Sequence, residues 1–286
     1  MTEHEHLMYQ VLGKISGTEA PIVFKGALIT KLILAEHNFT LLDRQTVDID
    51  ANWIGSPPSM ENLVDTIQKS LDDLQGQFYA VAFRGYEEKK SAGISIRAKE
   101  TDREIVSMDI SIKPVIGSRV YHYGEMQIRG VLANEILADK INVMSGRLVF
   151  RRAKDLVDIY ALTHCVDVRT SEIFDVFKSK QHNLGEFIEF LTRYNDVEHA
   201  YNKLRRMEDK PPFDDVYPYL TKFVHPFAKR DETPRIWSSG KQVWGDVNRT
   251  VEKPSVRAQL RAATQKEHGR TPSLPQRAKD EKEPER

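Results

Sequence analysis

Apolar and polar positions along the chain fall into two regimes. From Pro21 to about Val131, short runs at Val47–Asp50, Phe78–Phe83, Gly93–Ile96 and Ile105–Ile112 alternate with period two, as strands with one buried face require. Between them Leu63, Ile67, Leu71 and Leu74 recur at steps of four, four and three, which predicts a helix against the sheet, capped by Ser59. The apolar run Pro21–Phe24 leads through Lys25 and Gly26 into a further helix reaching Leu34. From Ala133 to about Met207 proline disappears and helical spacing dominates, as in Leu156, Ile159 and Tyr160. The expected fold is α+β: a mixed sheet with flanking helices over residues 1–132, then a helical domain over 133–230. Residues 231–286 are expected to form a charged, disordered tail, because Val251 to Arg286 holds no aromatic residue and too little apolar surface to offset the entropy of ordering.

Composition narrows the function classes. With 286 residues and 40% hydrophobic content the chain can bury a core of one or two domains. Its 42 basic and 42 acidic residues give no global field for holding a polyanion, so any nucleic-acid contact must come from local patches. Cys165 is the only cysteine, which excludes an intrachain disulfide and fits a reducing compartment. No apolar run is long enough for a membrane span or signal peptide, and the expected location is the cytoplasm.

Candidate chemistry begins with Val47-Asp48-Ile49-Asp50. On a strand, Val47 and Ile49 face the core while both carboxylates project from the other face. Like charges that close repel unless a cation separates them, and a hard divalent ion such as Mg²⁺ takes such oxygen ligands. Aspartate is frequent enough here that one such pair arises by chance, and a solvated strand end is the plain alternative. The second run, Ile105 to Ile112, places Val106, Met108, Ile110 and Ile112 on one face and Asp109 on the other. If the two strands pair, three carboxylates converge, an arrangement suited to two-metal phosphoryl transfer in which the third bridges the metals or takes a hydroxyl proton.

Taken together, these residues resemble a known family. Phe24-Lys25-Gly26, then Arg44-Gln45-Thr46-Val47-Asp48-Ile49-Asp50, looks like the first conserved block of AbiEii/AbiGii-type toxin nucleotidyltransferases. Glu135-Ile136-Leu137-Ala138-Asp139-Lys140, then Arg151-Arg152-Ala153-Lys154-Asp155-Leu156-Val157-Asp158-Ile159-Tyr160, is similar to the second. The resemblance implies a polymerase-β-like nucleotidyltransferase fold in which Asp48, Asp50 and Asp109 bind two Mg²⁺ ions. It further implies an NTP substrate with Lys140 on its phosphates, and either Asp155 or Asp158 brought toward the site. Lys25, Gly26, Arg44 and Thr46 fall on its nucleotide-binding side. The implied acceptor is a hydroxyl of tRNA or another RNA, the implied partner a cognate antitoxin, and the setting a toxin–antitoxin or phage-defence system. One departure stands out: Gly26 is followed by Ala27, Leu28 and Ile29, where the family has a small residue and a hydroxyl. Thr30 and Thr46 are the nearest hydroxyls, and backbone N–H groups at the helix start remain as phosphate donors.

Two competing readings follow: a non-catalytic member of the fold that binds a partner, and a small-molecule nucleotidyltransferase. Other features carry less. His4 and His6 lie in a terminus expected to be mobile, and Cys165 has no dyad partner nearby. Trp53 reads equally as a base-stacking ring or as core. The basic residues Lys203, Arg205, Arg206, Lys229 and Arg230, with Tyr217, Tyr219 and Phe223, read as a polynucleotide surface or, more simply, a solvated helix face.

Overall fold

The computed structural model describes residues 2–39, 46–72, 76–86, 91–205, 207 and 209–247. Helix α1 (Glu3–Ser16) opens the chain; Thr2 caps it by accepting the Glu5 N–H, and Met8, Leu12 and Ile15 are buried along one side. The terminus expected to be mobile is therefore packed: its apolar positions at helical spacing dock it on the body. Strand β1 (Ile22–Lys25) runs directly into α2 (Gly26–Glu36), followed by β2 (Asp48–Trp53) and α3 (Met60–Leu71). Strands β3 (Phe78–Arg84), β4 (Ser91–Ala98), β5 (Glu104–Ser111), β6 (Ser118–Tyr123) and β7 (Met126–Val131) follow in a row.

These seven strands form one mixed sheet in the order β3-β4-β5-β2-β1-β7-β6. The pairs β2–β5 and β1–β7 are parallel and the remaining neighbours antiparallel. Period-two alternation decides the faces: Ile49 and Ala51 on β2 and Val106, Met108 and Ile110 on β5 are buried, while Asp48, Asp50 and Asp109 occupy the opposite face. Helices α1 and α3 pack on each other, with α1 also on β7 and α3 on β3. The predicted α3 stripe is buried at Leu63, Ile67 and Leu71, and Ser59 caps the helix by accepting the Asn62 N–H at 3.1 Å. Leu74 lies outside the described residues. Val47 differs from expectation: it precedes the strand and is 59% exposed, so Asp48 opens β2.

The C-terminal half is mainly helical: α4 (Ala133–Met144), a 3₁₀ turn (Arg147–Arg151), α5 (Lys154–Cys165), β8 (Val168–Arg169), α6 (Thr170–Ser179), α7 (Ile188–Thr192), α8 (Tyr194–Asn202) and α9 (Phe213–Ala228). The tail expected from residue 231 contains further structure. Strands β9 (Arg235–Ser238) and β10 (Val243–Asp246) form a hairpin that joins β8 in a three-stranded sheet. Two tryptophans anchor it: Trp237 is fully buried and donates to the Thr163 carbonyl, and Trp244 stacks on Phe223 at 5.5 Å. Met1–Asp246 is one compact unit, and the stretch Val251–Arg286 lies outside the described residues. The expected boundary at 132/133 falls between β7 and α4, yet α4 is tied back to the sheet half, because Glu135 Oε2 accepts the N–H groups of Ile116 and Gly117. Among the described residues no helix is long and apolar enough to cross a membrane.

Candidate active site

The site is built on one row of register partners. Lys25 on β1 faces Asp50 on β2, Asp50 faces Asp109 on β5, and Asp109 faces Gly93 on β4. Partners in register emerge from the same face of a sheet, so the alternation that buries Ile49 and Met108 also aligns the lysine and the two carboxylates. The chain enters α2 through Gly26 at φ +73°, where a Cβ would collide with the Asp50 carboxylate, so only glycine fits between strand and helix. Lys25 is the residue preceding α2 and makes no side-chain cap, which leaves the first N–H groups of the helix without that partner. Over this row opens a cleft of about 360 Å³, walled by Ser91, Ser111 and Lys113 from the sheet side and by Ile136, Asp139, Lys140, Asn142, Val143, Arg152, Lys180 and His182 from the helical half.

Electrostatics on the cleft floor favour an added cation. Burial and the nearby Asp48 charge raise the Asp50 pKa above the usual carboxylate range, with Asp109 adding to the effect and Lys25 opposing it. Among the described residues no donor hydrogen-bonds to the Asp50 carboxylate. Burial lowers the Lys25 pKa, against the pull of Asp50 and Asp139. Asp109 is held from the side by Arg84, whose Nη2 lies 2.8 Å from Oδ2 and also donates to Ser91 Oγ at 3.2 Å. Asp48 is exposed at the start of β2 and does not line the cleft.

The helical wall carries two ion-pair clusters. In the first, the buried Lys140 ammonium donates to Asp155 Oδ1 at 2.8 Å and Asp158 Oδ2 at 2.6 Å, and Arg152 Nε meets Asp155 Oδ2 at 2.9 Å. Burial disfavours the lysine charge, but Asp158 and Asp155 outweigh it and raise the Lys140 pKa. Both aspartates thus act on Lys140 from behind; neither lines the cleft. In the second cluster, Asp139 accepts from Lys180 Nζ at 3.0 Å and pairs with His182 Nε2 at 2.7 Å, while Lys180 also meets Glu135 Oε1 at 2.9 Å. Burial works to raise the Asp139 pKa, but the His182 hydrogen bond and the Lys180 and Lys25 charges hold it at about 2.

Of the residues singled out from sequence, Lys25, Gly26, Asp50, Asp109 and Lys140 meet at the cleft. Thr46 does not: it is buried away from it, its N–H donating to Glu5 Oε1 at 3.2 Å. The Thr30 hydroxyl is spent on the Gly26 carbonyl at 2.9 Å. Arg44 and Arg206 lie outside the described residues. Trp53 donates to the Ser56 carbonyl and closes its own turn. Phe223 is core and Tyr219 stacks on His164 at 4.4 Å, so neither offers a free ring face with Lys203, Arg205, Lys229 and Arg230. His6 pairs with the Tyr123 hydroxyl, and burial raises the Cys165 thiol to about 11, far from a nucleophile. Sequence reasoning missed Arg84, Lys180 and His182 and gave Asp139 no role; the one available signal was Asp139's place four residues after Glu135 on α4, one turn along the same face.

Among the described residues no three His, Cys, Asp or Glu side chains cluster as a ready-made metal centre. The donor set fits Mg²⁺ nonetheless, since that ion is commonly held by one or two carboxylates plus substrate phosphates and water. Asp50, half-buried, its charged form disfavoured by burial and with no hydrogen-bond donor on it among the described residues, offers that partial shell with Asp109 beside it.

Comparison with known proteins places the chain. Several solved structures are similar to it at low identity. MenT4, a nucleotidyltransferase toxin from Mycobacterium tuberculosis, shares 13% identity over 80% of this chain and 91% of that one, with a TM-score of 0.42. JHP933 from Helicobacter pylori shares 15% over 80% and 95%, with a TM-score of 0.45. An antigenic nucleotidyltransferase-like protein from Paracoccidioides brasiliensis shares 12% over 76% and 97%, at 0.39. No curated protein matches the sequence. The family model described as nucleotidyl transferase AbiEii toxin, type IV toxin–antitoxin system, matches residues 10–219, and the chain with its Lys25–Asp50–Asp109 row belongs to that family of nucleotidyltransferase toxins.

Proposed function

We propose that this toxin nucleotidyltransferase moves a nucleotidyl group from an NTP to a hydroxyl of an RNA acceptor such as tRNA, with Mg²⁺ held by Asp50 and Asp109, and with Asp48 adding negative charge from the start of β2. The observation that carries the reading is the register pair Asp50–Asp109 on adjacent strands, flanked by Lys25 and overlooked by Lys140. Mg²⁺, when bound there, supplies positive charge to the triphosphate and to the charge that develops at the α-phosphorus. Lys25 and the N–H groups at the start of α2 receive the phosphates, a role the missing hydroxyl after Gly26 leaves to the backbone. Lys140 has two of its three donors engaged by Asp155 and Asp158, which leaves one for a phosphate oxygen. The acceptor oxygen attacks the α-phosphorus, the bond to the bridging oxygen breaks, and pyrophosphate leaves with the electron pair. The hydroxyl proton passes to the Asp109 oxygen that Arg84 does not hold. We place the reaction in the cytoplasm, in a toxin–antitoxin or phage-defence setting with a cognate antitoxin as partner.

The test is incubation of the purified protein, and of its Asp48→Ala/Asp50→Ala variant, with Mg²⁺, each α-labelled NTP and total bacterial RNA, resolved on a gel. Label enters an RNA band with the wild type, and falls by about 10²–10³-fold or more in the variant. Equal labelling by the variant would overturn the site; no labelling with any NTP would point to a small-molecule acceptor or to a binding role.

A further inference from the structure

An exposed aromatic ring stands beside the catalytic row. Phe83 on β3 is 56% exposed, although it lies on the sheet and not in a loop. The strand carries a bulge between Ala82 and Arg84, so that two consecutive side chains reach the same face. Arg84 lands on Asp109, and the tip of the Phe83 ring lies over Gly93, where a Cβ would collide with it. Gly93 is the register partner of Asp109, so the ring lies on the face of the cleft, next in line after the carboxylate. The Arg84 guanidinium carbon is 5.8 Å from the ring centroid.

We propose that Phe83 is the stacking platform for the terminal nucleobase of a single-stranded RNA acceptor. The inference rests on the nucleotidyl-transfer reading above and deepens it by naming where the acceptor binds. The row runs Lys25, Asp50, Asp109, then Gly93 under Phe83. In-line displacement requires the leaving pyrophosphate and the attacking hydroxyl on opposite sides of the α-phosphorus. With the phosphates at Lys25 and the start of α2, the attacking hydroxyl approaches from the Asp109 side. The tip of the Phe83 ring, over Gly93 on β4, then lies one strand spacing farther out, about 4.8 Å, the scale of the ribose that separates a terminal hydroxyl from its base. A flat apolar ring accepts any base face, and the adjacent guanidinium supplies the cation for the preceding phosphate. Isolated exposed apolar side chains are ordinary; this one is set apart by the bulge that aims it, the glycine that admits it and the carboxylate beside it.

The experiment measures binding without relying on transfer. Fluorescence anisotropy follows a short single-stranded RNA, labelled at its 5′ end, with the full-length wild type and with Phe83→Leu and Phe83→Trp. A second RNA, identical but abasic at its last nucleotide, is titrated in parallel. Leucine keeps an apolar cover on Gly93 and removes the stacking face; tryptophan keeps both. The expected result is a Kd raised roughly ten-fold by Phe83→Leu on the intact RNA, little change with Phe83→Trp, and no difference between wild type and Phe83→Leu on the abasic RNA. Equal affinity of wild type and Phe83→Leu for the intact RNA, an effect that persists on the abasic RNA, or no RNA binding by the wild type would each overturn the proposal. RNA binding with this pattern but no label transfer from any NTP would instead defeat the nucleotidyl-transfer reading and leave the platform standing.

Discussion

The Asp50 carboxylate occupies the space into which a side chain on Gly26 would grow. Strand β1, the turn into α2 and the acidic strand β2 are thereby locked to one another at a single contact. Gly26→Ala meets two penalties: a residue forced to φ +73°, and a methyl against a carboxylate. Positive φ alone costs a non-glycine residue about 1 kcal/mol or more, so a loss of about 2–3 kcal/mol is expected. Urea unfolding checks it, and the same substitution in an Asp50→Ala background separates the two parts. A full-sized penalty in that background would show that the collision contributes nothing.

Asp50 itself is a cost to the metal-free protein. Its folded pKa is raised, by burial first and by Asp48 next, so the folded state holds its proton to higher pH than the unfolded chain does. The resulting penalty is absent below the ordinary carboxylate pKa and grows as pH rises toward the folded value. Asp50→Asn is therefore expected to melt higher than the wild type at pH 7 with a chelator present, and to lose that advantage in acid. Adding Mg²⁺ with an NTP should raise the wild-type Tm and leave the variant unmoved. A variant that melts lower than the wild type at pH 7 in chelator would contradict this charge balance.

How much of this was legible beforehand depends on the range of the signal. The Asp50–Asp109 row was readable because period-two alternation is local: once Ile49, Met108 and Ile110 are assigned to the core, the carboxylates have only one face left. The Asp139–Lys180–His182 cluster was not readable, because α4 and the end of α6 are 41 residues apart at Lys180–Asp139 and nothing local marks a surface lysine that tertiary packing will bury. Arg84 and Phe83 escaped for a different reason. A bulge breaks the alternation there, and strict period two assigns them to opposite faces. The β9–β10 hairpin was absorbed into the tail because its strands are four residues each, and their burial comes from Trp237 and Trp244 packing on α9 and α5.

Asp139 tests the second cluster through pH. Its folded pKa of about 2 lies below its unfolded value, so its hydrogen bond with His182 and its ion pair with Lys180 stabilise the protein above the unfolded pKa, and that contribution disappears as pH falls toward 2. The side chain is 38% exposed, and solvent screening reduces the effect to about 1 kcal/mol. Asp139→Asn should therefore lower stability by about that amount at pH 7 and converge with the wild type in strong acid. A difference that stays constant with pH would assign the loss to packing.

Lys140 makes the sharper case, because its partners are buried with it. Asp155 and Asp158 have side chains only 2% and 3% exposed, and the ammonium lies 2.8 and 2.6 Å from their oxygens. Lys140→Met keeps most of the aliphatic stem and removes the ammonium that both buried carboxylates share, leaving Arg152 on Asp155, a change expected to cost about 3–5 kcal/mol. Arg152→Ala, at a guanidinium 46% exposed, should cost under about 1 kcal/mol. Combining Lys140→Met with Asp155→Asn and Asp158→Asn removes the stranded charge and should return much of the lost stability, as read from urea midpoints at unchanged m-value. If stability returns in the triple variant but transfer does not, Lys140 acts on the nucleotide as well as on the fold. If Lys140→Met alone unfolds within about 1 kcal/mol of the wild type, the cluster does not hold α4 to α5 and the lysine's charge belongs to the cleft alone.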